Sequence, residues 1–252
     1  MLGAWAKGDI AALAPQFAAG DPFPLLVIDG FLEESFADQL LSEFPKIDAM
    51  GRTKDYMFGD KREEADFAKA GPACKAYYDF LLSDEFAQII STVTGGRKLF
   101  VDPAFHGGGF HQGGNGSFLD THIDFNVHPK HSDWLRVLNI LLYMNKDWPA
   151  EYDGCLLIRT DPKNKPRAIE PKFNRCAFMF TSDNTFHGYR KMTLPEGVTR
   201  KSLAGYAYEL IDEGSIKART TAWSPEEGGV VKKTLARHWT GLAAAKNKLT
   251  GN

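Results

Sequence analysis

A histidine and an aspartate stand two residues apart in a stretch whose polar and apolar residues alternate. This alternation over 118–126 predicts a β-strand that carries His122 and Asp124 on one face. An imidazole and a carboxylate placed in this way can bind one metal ion, and a third ligand from a distant strand would complete a facial triad. His187 is the candidate for that ligand, although spacing alone does not select it over the other histidines.

The other histidines suit other interpretations. His128 and His131 lie in a segment that contains proline and lacks cysteine partners, so they indicate a surface loop rather than a zinc site. His106 and His111 flank three glycines, which either allow a substrate to approach closely or mark a bent strand. His238 falls in a helical pattern and is interpreted as incidental.

Two further side chains suggest an anion site. Alternation places Tyr143 on the face of Val137 and Asn139, where its hydroxyl needs a polar partner if that face is buried. Arg200, with Ser202 on the same strand face, calls for an anion, and a dicarboxylate co-substrate would satisfy it. The alternatives are a protein carboxylate elsewhere for the arginine and an ordinary place in the core for the tyrosine.

Composition limits the classes of protein to consider. With 252 residues the chain is interpreted as a single domain, and its net charge of -2 provides no basic field for nucleic-acid binding. No apolar run approaches the roughly 20 residues that span a bilayer. Cys74, Cys155 and Cys176 lack a CxxC motif and are expected to be buried, reduced thiols. A cytoplasmic protein without a membrane partner is expected, and no oligomeric state is predicted.

The chain divides into a helical N-terminal support (1–96), a β core (97–211) and a C-terminal helical extension (212–252). Apolar spacing predicts helices in the support and one over 223–249, and it indicates a solvated loop, or else a substrate lid, at 51–71. Short alternating runs without long helices between them favour a sandwich or jelly roll. The predicted strands cover 98–105, 117–127, 136–145, 154–159, 167–170, 175–181 and 201–210.

Longer motifs make the chain resemble a known family. The runs Tyr143-Met144-Asn145-Lys146-Asp147-Trp148, Asp153-Gly154-Cys155-Leu156-Leu157 and Ile169-Glu170-Pro171-Lys172-Phe173-Asn174-Arg175 are similar to a strand, a turn and a return strand of that family. From about Pro24 to Leu210 the chain resembles the Fe(II)/2-oxoglutarate-dependent oxygenases of the prolyl-4-hydroxylase-like branch. That branch includes the hypoxia-inducible-factor and ribosomal-protein prolyl hydroxylases.

The resemblance implies a mainly β fold with flanking helices, built on a cupin-like double-stranded β-helix. It implies that iron is held by His122, Asp124 and His187. It also implies that Tyr143, Arg200 and Ser202 hold the distal carboxylate of 2-oxoglutarate, with Leu157 packing on its methylene groups. Two departures bear on substrate identity: Gly188-Tyr189 follows the second histidine, and the segment 107–112 replaces the usual entry to the motif.

The family's chemistry is expected to use Fe(II), 2-oxoglutarate and O2, with ascorbate as an optional reductant, in an enzyme of the EC 1.14.11 type. Three protein ligands leave three positions on six-coordinate iron for 2-oxoglutarate and dioxygen. Succinate and CO2 would be released as an unactivated C–H bond is hydroxylated. Because Asp124 supplies a carboxylate, a halogenase is not expected. Asn126 and Asp120 are predicted to orient the ligands.

Three hypotheses remain open. The leading one is a hydroxylase of a prolyl residue in a protein, and it predicts an open groove. The second is a hydroxylase of a small molecule, such as a free amino acid, a sugar or a natural-product intermediate. It predicts a closed pocket lined by His111, Gln112 or Tyr56, with Asn126 as a further substrate-binding candidate. The third is a jelly-roll binding module without catalysis.

Overall fold

The computed structural model describes residues 1–52, 57–236 and 238–239. Within this part of the chain the α-helices are α1 (Leu13–Ala18), α2 (Glu34–Ser42), α3 (Pro72–Leu81) and α4 (Asp84–Val93), and residues 230–236 and 238–239 are also helical. Single 3-10 turns cover Ala4–Lys7, Ile10–Ala12, Ile47–Ala49, Phe67–Lys69 and Ala150–Tyr152. The strands are β1 (Leu25–Asp29), β2 (Gly51–Arg52), β3 (Gly59–Asp60), β4 (Arg62–Glu64), β5 (Phe100–Val101), β6 (Gly109–Gly113), β7 (Phe118–Ile123), β8 (Trp134–Tyr143), β9 (Leu156–Arg159), β10 (Arg167–Ile169), β11 (Arg175–Phe180), β12 (Phe186–Tyr189), β13 (Arg200–Leu210) and β14 (Ala222–Trp223).

The strands form two antiparallel sheets. The larger sheet has the order β1-β11-β8-β13-β6-β4-β2, and β5 pairs with β13. The smaller sheet has the order β10-β9-β12-β7-β14, and β3 pairs with β7. The mainly β architecture with flanking helices that the sequence predicted is therefore confirmed.

One core lies between the helices and the larger sheet. Alternation along β8 turns Leu138, Ile140 and Leu142 toward the helices, and each is fully buried. Phe86 and Ile90 of α4 are also fully buried and belong to the same cluster. The Ser83 hydroxyl accepts a hydrogen bond from the Phe86 N–H and so caps this helix. The helices thus cover the outer face of the larger sheet.

A second core fills one end of the space between the two sheets. Tyr143 and Met179 from the larger sheet meet Leu156, Ile158 and Ile169 from the smaller one, and all five are buried. The apolar residues hold the sheets together at this end. The rest of the space between the sheets is lined by polar side chains and forms the cavity described below.

Residues 51–71 differ from the solvated loop indicated by the sequence. The segment contains β2, β3 and β4, of which β4 pairs with β6 and β3 with β7. Phe58 is fully buried against Trp223, at 5.0 Å between ring centroids. These pairings join residues far apart in sequence, and the strands are too short to show a period. The loop prediction is therefore wrong, and Tyr56 lies outside the described residues.

The C-terminal segment also differs from its prediction. Ala222–Trp223 forms β14 beside β7, and helix is found at residues 230–236 rather than from 223 onward. Val231 in this helix is 73% exposed. Residues 240–252 lie outside the described residues, as does residue 237. None of the helices in the described part of the chain combines the length and hydropathy needed to cross a membrane.

Among the three cysteines, Cys74 and Cys176 are buried as expected, whereas Cys155 is only half-buried. Cys155 follows Asp153 and Gly154, which both have positive φ in the turn that leads into β9. Cys155 therefore lies directly before the first residue of β9.

Candidate metal and co-substrate site

Strand pairing in the smaller sheet brings the proposed metal ligands together. His187 of β12 is in register with His122 of β7, and Asp124 follows directly after β7. His122 Nε2 lies 3.6 Å from Asp124 Oδ1, and His187 Nε2 lies 3.3 Å from Asp124 Oδ2. One candidate ligand atom from each residue falls within 4.8 Å of the others. Among the residues that the structure describes, no other group of three His, Cys, Asp or Glu meets this condition.

The backbone orients both imidazoles. His122 Nδ1 lies 2.8 Å from the Asp120 carbonyl oxygen, and His187 Nδ1 lies 3.2 Å from the Thr185 carbonyl oxygen. Because a carbonyl can only accept, each Nδ1 carries the proton and each Nε2 presents its lone pair. Both lone pairs therefore point toward the Asp124 carboxylate, which is the arrangement that a metal ion requires.

The carboxylate is held by two residues that the sequence analysis did not identify. Arg136 Nη2 donates to Asp124 Oδ2 at 2.9 Å, and Asn139 Nδ2 donates to the same oxygen at 2.8 Å. Arg136 Nε also donates to Asn139 Oδ1 at 2.9 Å, so the two side chains support each other. Oδ1 is left to face His122 and is the oxygen available to a metal.

A bulge explains why Arg136 was missed. Tyr206 of β13 is opposite Asn139, whereas Tyr208 is opposite Arg136, so β8 has one extra residue between these pairs. The bulge places Arg136 on the cavity face with Asn139, and it turns Val137 toward the helical core. Strict alternation had placed Val137, rather than Arg136, on the face of Tyr143.

The predicted orienting residues act differently. Asp120 orients His122 through its backbone carbonyl, while its carboxylate pairs with Lys232 at 2.6 Å. Asn126 donates to the Lys217 carbonyl and accepts from the Arg219 N–H, and it does not line the cavity. The orienting hydrogen bond predicted for Asp120 is therefore present, through its backbone, whereas the predictions that Asn126 orients the ligands and binds substrate are wrong.

The electrostatics of the triad favour metal binding. Burial alone would raise the pKa of Asp124, but the Arg136 guanidinium and the two histidines hold it well below its ordinary value. Burial, followed by repulsion from His122, lowers the pKa of His187 to about 4. At neutral pH the site thus presents an ionised carboxylate and an uncharged imidazole, which are the ligating forms. Two nitrogens and one oxygen with open positions suit Fe(II).

The residues predicted to bind a carboxylate lie in the same cavity. Arg200 is 6% exposed, and its Nε donates to the Gly154 carbonyl at 2.7 Å. Its guanidinium carbon lies 4.5 Å from the Tyr189 ring centroid and 5.1 Å from that of Tyr143. Ser202 is in register with Tyr143 on the adjacent strand. No carboxylate of the described residues pairs with Arg200. Because a buried cation without a counter-charge is unfavourable, the cavity favours an anionic ligand at this position.

The residue of β9 that faces the cavity is Leu156, not Leu157, which was expected to pack on the methylene groups of 2-oxoglutarate. Leu156 lines the cavity and packs in the cluster of Tyr143, whereas Leu157 lies on the opposite face of β9. Neighbouring residues of a strand point to opposite faces, and a motif match does not fix which of the two faces the cavity. The role proposed for Leu157 therefore passes to Leu156.

The cavity that contains both groups has a volume of about 470 Å³. His111 and Gln112 line it, as the small-molecule hypothesis predicted, and so does His106. Sequence reasoning missed the charged pair Lys61 and Glu63 and the aromatic side chains Tyr206 and Trp223, which line it as well. Trp223 lies 4.7 Å from the His122 ring, centroid to centroid.

The remaining histidines lie apart from the triad. His128 is 3% exposed, with Nε2 at 3.5 Å from Asp102 Oδ2, so its predicted place on the surface is wrong. His131 is exposed and stacks on Trp134 at 3.9 Å between centroids. His238 is exposed, as expected of an incidental residue.

The close approach of β12 to β7 explains why glycine follows His187 at position 188. A Cβ atom at this position would lie 2.5 Å from the Leu119 carbonyl oxygen of β7. The smaller sheet is irregular here, since its register shifts between His187 and Tyr189. Only glycine lets β12 approach β7 closely enough to keep the two histidines in register.

Two imidazoles and one carboxylate, held between two β-sheets beside an unpaired buried arginine, are the features of a non-haem iron oxygenase. Residues 108–208 match the family model for the 2OG-Fe(II) oxygenase superfamily. This part of the chain is therefore similar to that superfamily, whose enzymes use Fe(II), 2-oxoglutarate and O2. It contains the triad, Tyr143 and Arg200.

Solved structures with the same fold include prolyl hydroxylases. A Pseudomonas putida prolyl-4-hydroxylase is 17% identical with a TM-score of 0.56, over 79% of this chain and 98% of that one. A Trichoplax adhaerens prolyl hydroxylase, in complex with a hypoxia-inducible-factor peptide fragment, is 16% identical with a TM-score of 0.55, over 82% and 93%. The double-stranded β-helix core that the resemblance implied is confirmed by this likeness.

A third similar structure contains a small molecule. HygX from Streptomyces hygroscopicus, with nickel, 2-oxoglutarate and hygromycin B bound, is 12% identical with a TM-score of 0.50, over 75% of this chain and 83% of that one. A search of curated protein sequences gives no match.

Proposed function

We propose that the protein is a 2-oxoglutarate-dependent hydroxylase in which His122, Asp124 and His187 hold Fe(II). The observation that carries this proposal is the convergence of the triad and the unpaired Arg200 in one cavity. Bound iron and 2-oxoglutarate would activate dioxygen, release succinate and CO2, and hydroxylate an unactivated C–H bond, as in enzymes of the EC 1.14.11 type. The protein's part is to hold these reactants in one orientation.

The residues of the larger sheet would hold the co-substrate. With its Nε–H bound to the Gly154 carbonyl, Arg200 would direct the N–H groups of its two Nη nitrogens to a carboxylate, which is a geometry suited to bidentate binding. Tyr143 and Ser202, side by side on adjacent strands, present hydroxyl groups to the same anion. Leu156 contributes the apolar surface for its methylene groups. Arg136 keeps the Asp124 carboxylate in place by its hydrogen bond to Oδ2.

The substrate supported best is a small molecule. Two segments with short strands reach the cavity: residues 59–64, which contain β3 and β4, bring Lys61 and Glu63 to its wall, and β14 brings Trp223. His111 and Gln112 line the same cavity beside the triad, as a small-molecule pocket requires. The similar structures include a complex with a peptide and one with a small molecule, so prolyl peptides are the alternative to test.

The test is succinate release from 2-oxoglutarate in the presence of Fe(II) and O2. Candidate small molecules and prolyl peptides are supplied separately, and the product is analysed for a mass increase of one oxygen atom. The His122→Ala variant serves as the control. Substrate-dependent succinate from the wild type alone supports the proposal. Equal succinate from the variant, or none from the wild type with any compound, would refute it.

A further inference from the structure

A charged pair lines the cavity apart from the residues proposed to hold iron and 2-oxoglutarate. Lys61 Nζ lies 2.8 Å from Glu63 Oε1, and the two side chains are 12% and 29% exposed. Both line the cavity. Strand β4 pairs with β6, with Glu63 in register with His111, and this pairing holds Lys61 and Glu63 at the cavity wall. A largely buried ion pair at this place bears on what the cavity binds, because desolvating both charges is costly.

Hydrogen bonding leaves Lys61 able to donate further. His111 Nε2 faces the Gly107 carbonyl at 3.2 Å, so that nitrogen carries the proton and Nδ1 accepts from Lys61 at 3.1 Å. Burial first, and then Lys61, lower the pKa of His111 to about 3, so the imidazole is uncharged at neutral pH. Within the described chain, Glu63 and His111 thus account for two of the three N–H donors of Lys61.

The same wall offers two acceptors. Glu63 accepts from Lys61 through Oε1, which leaves Oε2 as a further acceptor. Gln112 is 4% exposed and donates from Nε2 to Thr199 Oγ1 at 2.6 Å. Its Oε1 is buried and finds no donor among the residues described. A buried acceptor without a partner indicates a ligand that donates hydrogen bonds.

Charge balance then selects the ligand. Asp124 and Arg136 neutralise each other, and Arg200 is assigned to the carboxylate of 2-oxoglutarate. Of the charged side chains that line the described cavity, Lys61 and Glu63 remain, and they too neutralise each other. Each keeps an unused polar atom, the third N–H of Lys61 and Oε2 of Glu63. A substrate that carries one carboxylate and one ammonium group binds both atoms without adding net charge to the cavity.

We infer that the substrate is a small zwitterion, such as a free amino acid. Its carboxylate would lie against Lys61, and its ammonium group would lie against Glu63 and Gln112 Oε1. This inference rests on the proposed function, since it assumes that Arg200 serves 2-oxoglutarate.

The test is calorimetric binding without turnover. The protein is loaded with Mn(II) and 2-oxoglutarate in the absence of O2 and titrated with free amino acids. Each amino acid is compared with its N-acetyl derivative, which lacks the cation, and with its methyl ester, which lacks the anion. We expect at least one free amino acid to bind and both of its derivatives to bind at least tenfold more weakly.

Variants connect this preference to the charged pair. Lys61→Met and Glu63→Gln are expected to raise the Kd of the bound amino acid at least tenfold. Lys69→Met is the matched control, because it removes an equivalent ion pair with Glu64 from a lysine that is 61% exposed. It should leave the Kd unchanged. Thermal unfolding of each variant shows whether the fold is retained.

The outcomes separate this inference from the proposed function. If 2-oxoglutarate binds but no free amino acid does, or if capped derivatives, polyols or prolyl peptides bind at least as tightly, the zwitterion is refuted and the hydroxylase stands. If 2-oxoglutarate itself fails to bind to the metal-loaded protein, the proposed function fails. In that case, titration of the protein with amino acids in the absence of 2-oxoglutarate shows whether the cavity binds a zwitterion: binding supports the inference, and no binding refutes it.

Discussion

Replacing Arg136 by methionine tests how the candidate metal ligand Asp124 is held in the metal-free protein. Arg136 is 1% exposed at its side chain, and Asp124 is 12% exposed. At the observed 2.9 Å, two unit charges in a medium of effective dielectric constant about 20 attract each other by roughly 6 kcal/mol. Desolvation offsets part of this attraction, and removal of one partner of a buried pair typically costs about 3–5 kcal/mol.

We therefore expect Arg136→Met to lower the free energy of unfolding by about 3–5 kcal/mol at neutral pH, as measured by urea denaturation with a chelator present. The control is Arg97→Met, which removes an ion pair with Glu209 from an arginine that is 41% exposed. Such surface pairs contribute at most about 1 kcal/mol. A loss below about 1 kcal/mol for Arg136→Met would refute the reasoning.

A double variant shows whether the loss comes from charge or from packing. Arg136 also stacks on Tyr206, at 3.4 Å from its guanidinium carbon to the ring centroid, so methionine removes contacts as well as charge. If the unpaired carboxylate causes the loss, Asp124→Asn should restore stability when it is added to Arg136→Met. A double variant that is no more stable than Arg136→Met would assign the loss to packing instead.

Three further predictions follow from individual contacts. Leu156→Ala should raise the KM for 2-oxoglutarate about tenfold, whereas Leu157→Ala should leave it unchanged; equal KM values in steady-state assays would contradict the register of β9. The Arg175 guanidinium holds the pKa of Asp29 below its ordinary value of 3.8. The Asp29–Arg175 pair should therefore stabilise the protein above pH 3.8, and this contribution should be lost as the pH falls through the lowered pKa of Asp29. Because Asp29 is 67% exposed, Asp29→Asn should cost at most about 1 kcal/mol in urea denaturation at pH 7, and a loss that is larger at pH 3 than at pH 7 would contradict the sign. Trp223 packs against the first candidate histidine ligand, so Cu(II) binding should quench its fluorescence, and Trp223→Phe should remove that part of the quenching.

The parts of the fold and site that could be predicted from the sequence depend on local periodicity. Alternation over 118–126 placed His122 and Asp124 on one face, and the structure has their side chains converge. The buried strands and the helices also follow from short-range patterns, and the mainly β architecture is confirmed. Alternation and charge also identified Tyr143 and Arg200, and the resemblance to a known family implied their role toward 2-oxoglutarate.

The features that could not be predicted arise from irregularities and long-range pairing. A bulge in β8 moves Arg136 onto the cavity face, and alternation gives no sign of it. The family resemblance assigned Leu157 to the co-substrate, whereas Leu156 is the residue of β9 that faces the cavity. Lys61 and Glu63 reach the cavity only because β4 pairs with β6. In the sequence they are two charges among many.

Anaerobic absorption spectroscopy of the protein with Fe(II) and 2-oxoglutarate tests the central claim most directly. If both bind at the proposed site, a metal-to-ligand charge-transfer band should appear and saturate at one equivalent of iron. It should be absent in His187→Ala, and it should need a much higher 2-oxoglutarate concentration in Arg200→Leu. Failure of the band to form in the wild type, or its persistence unchanged in both variants, would contradict the assignment of the site.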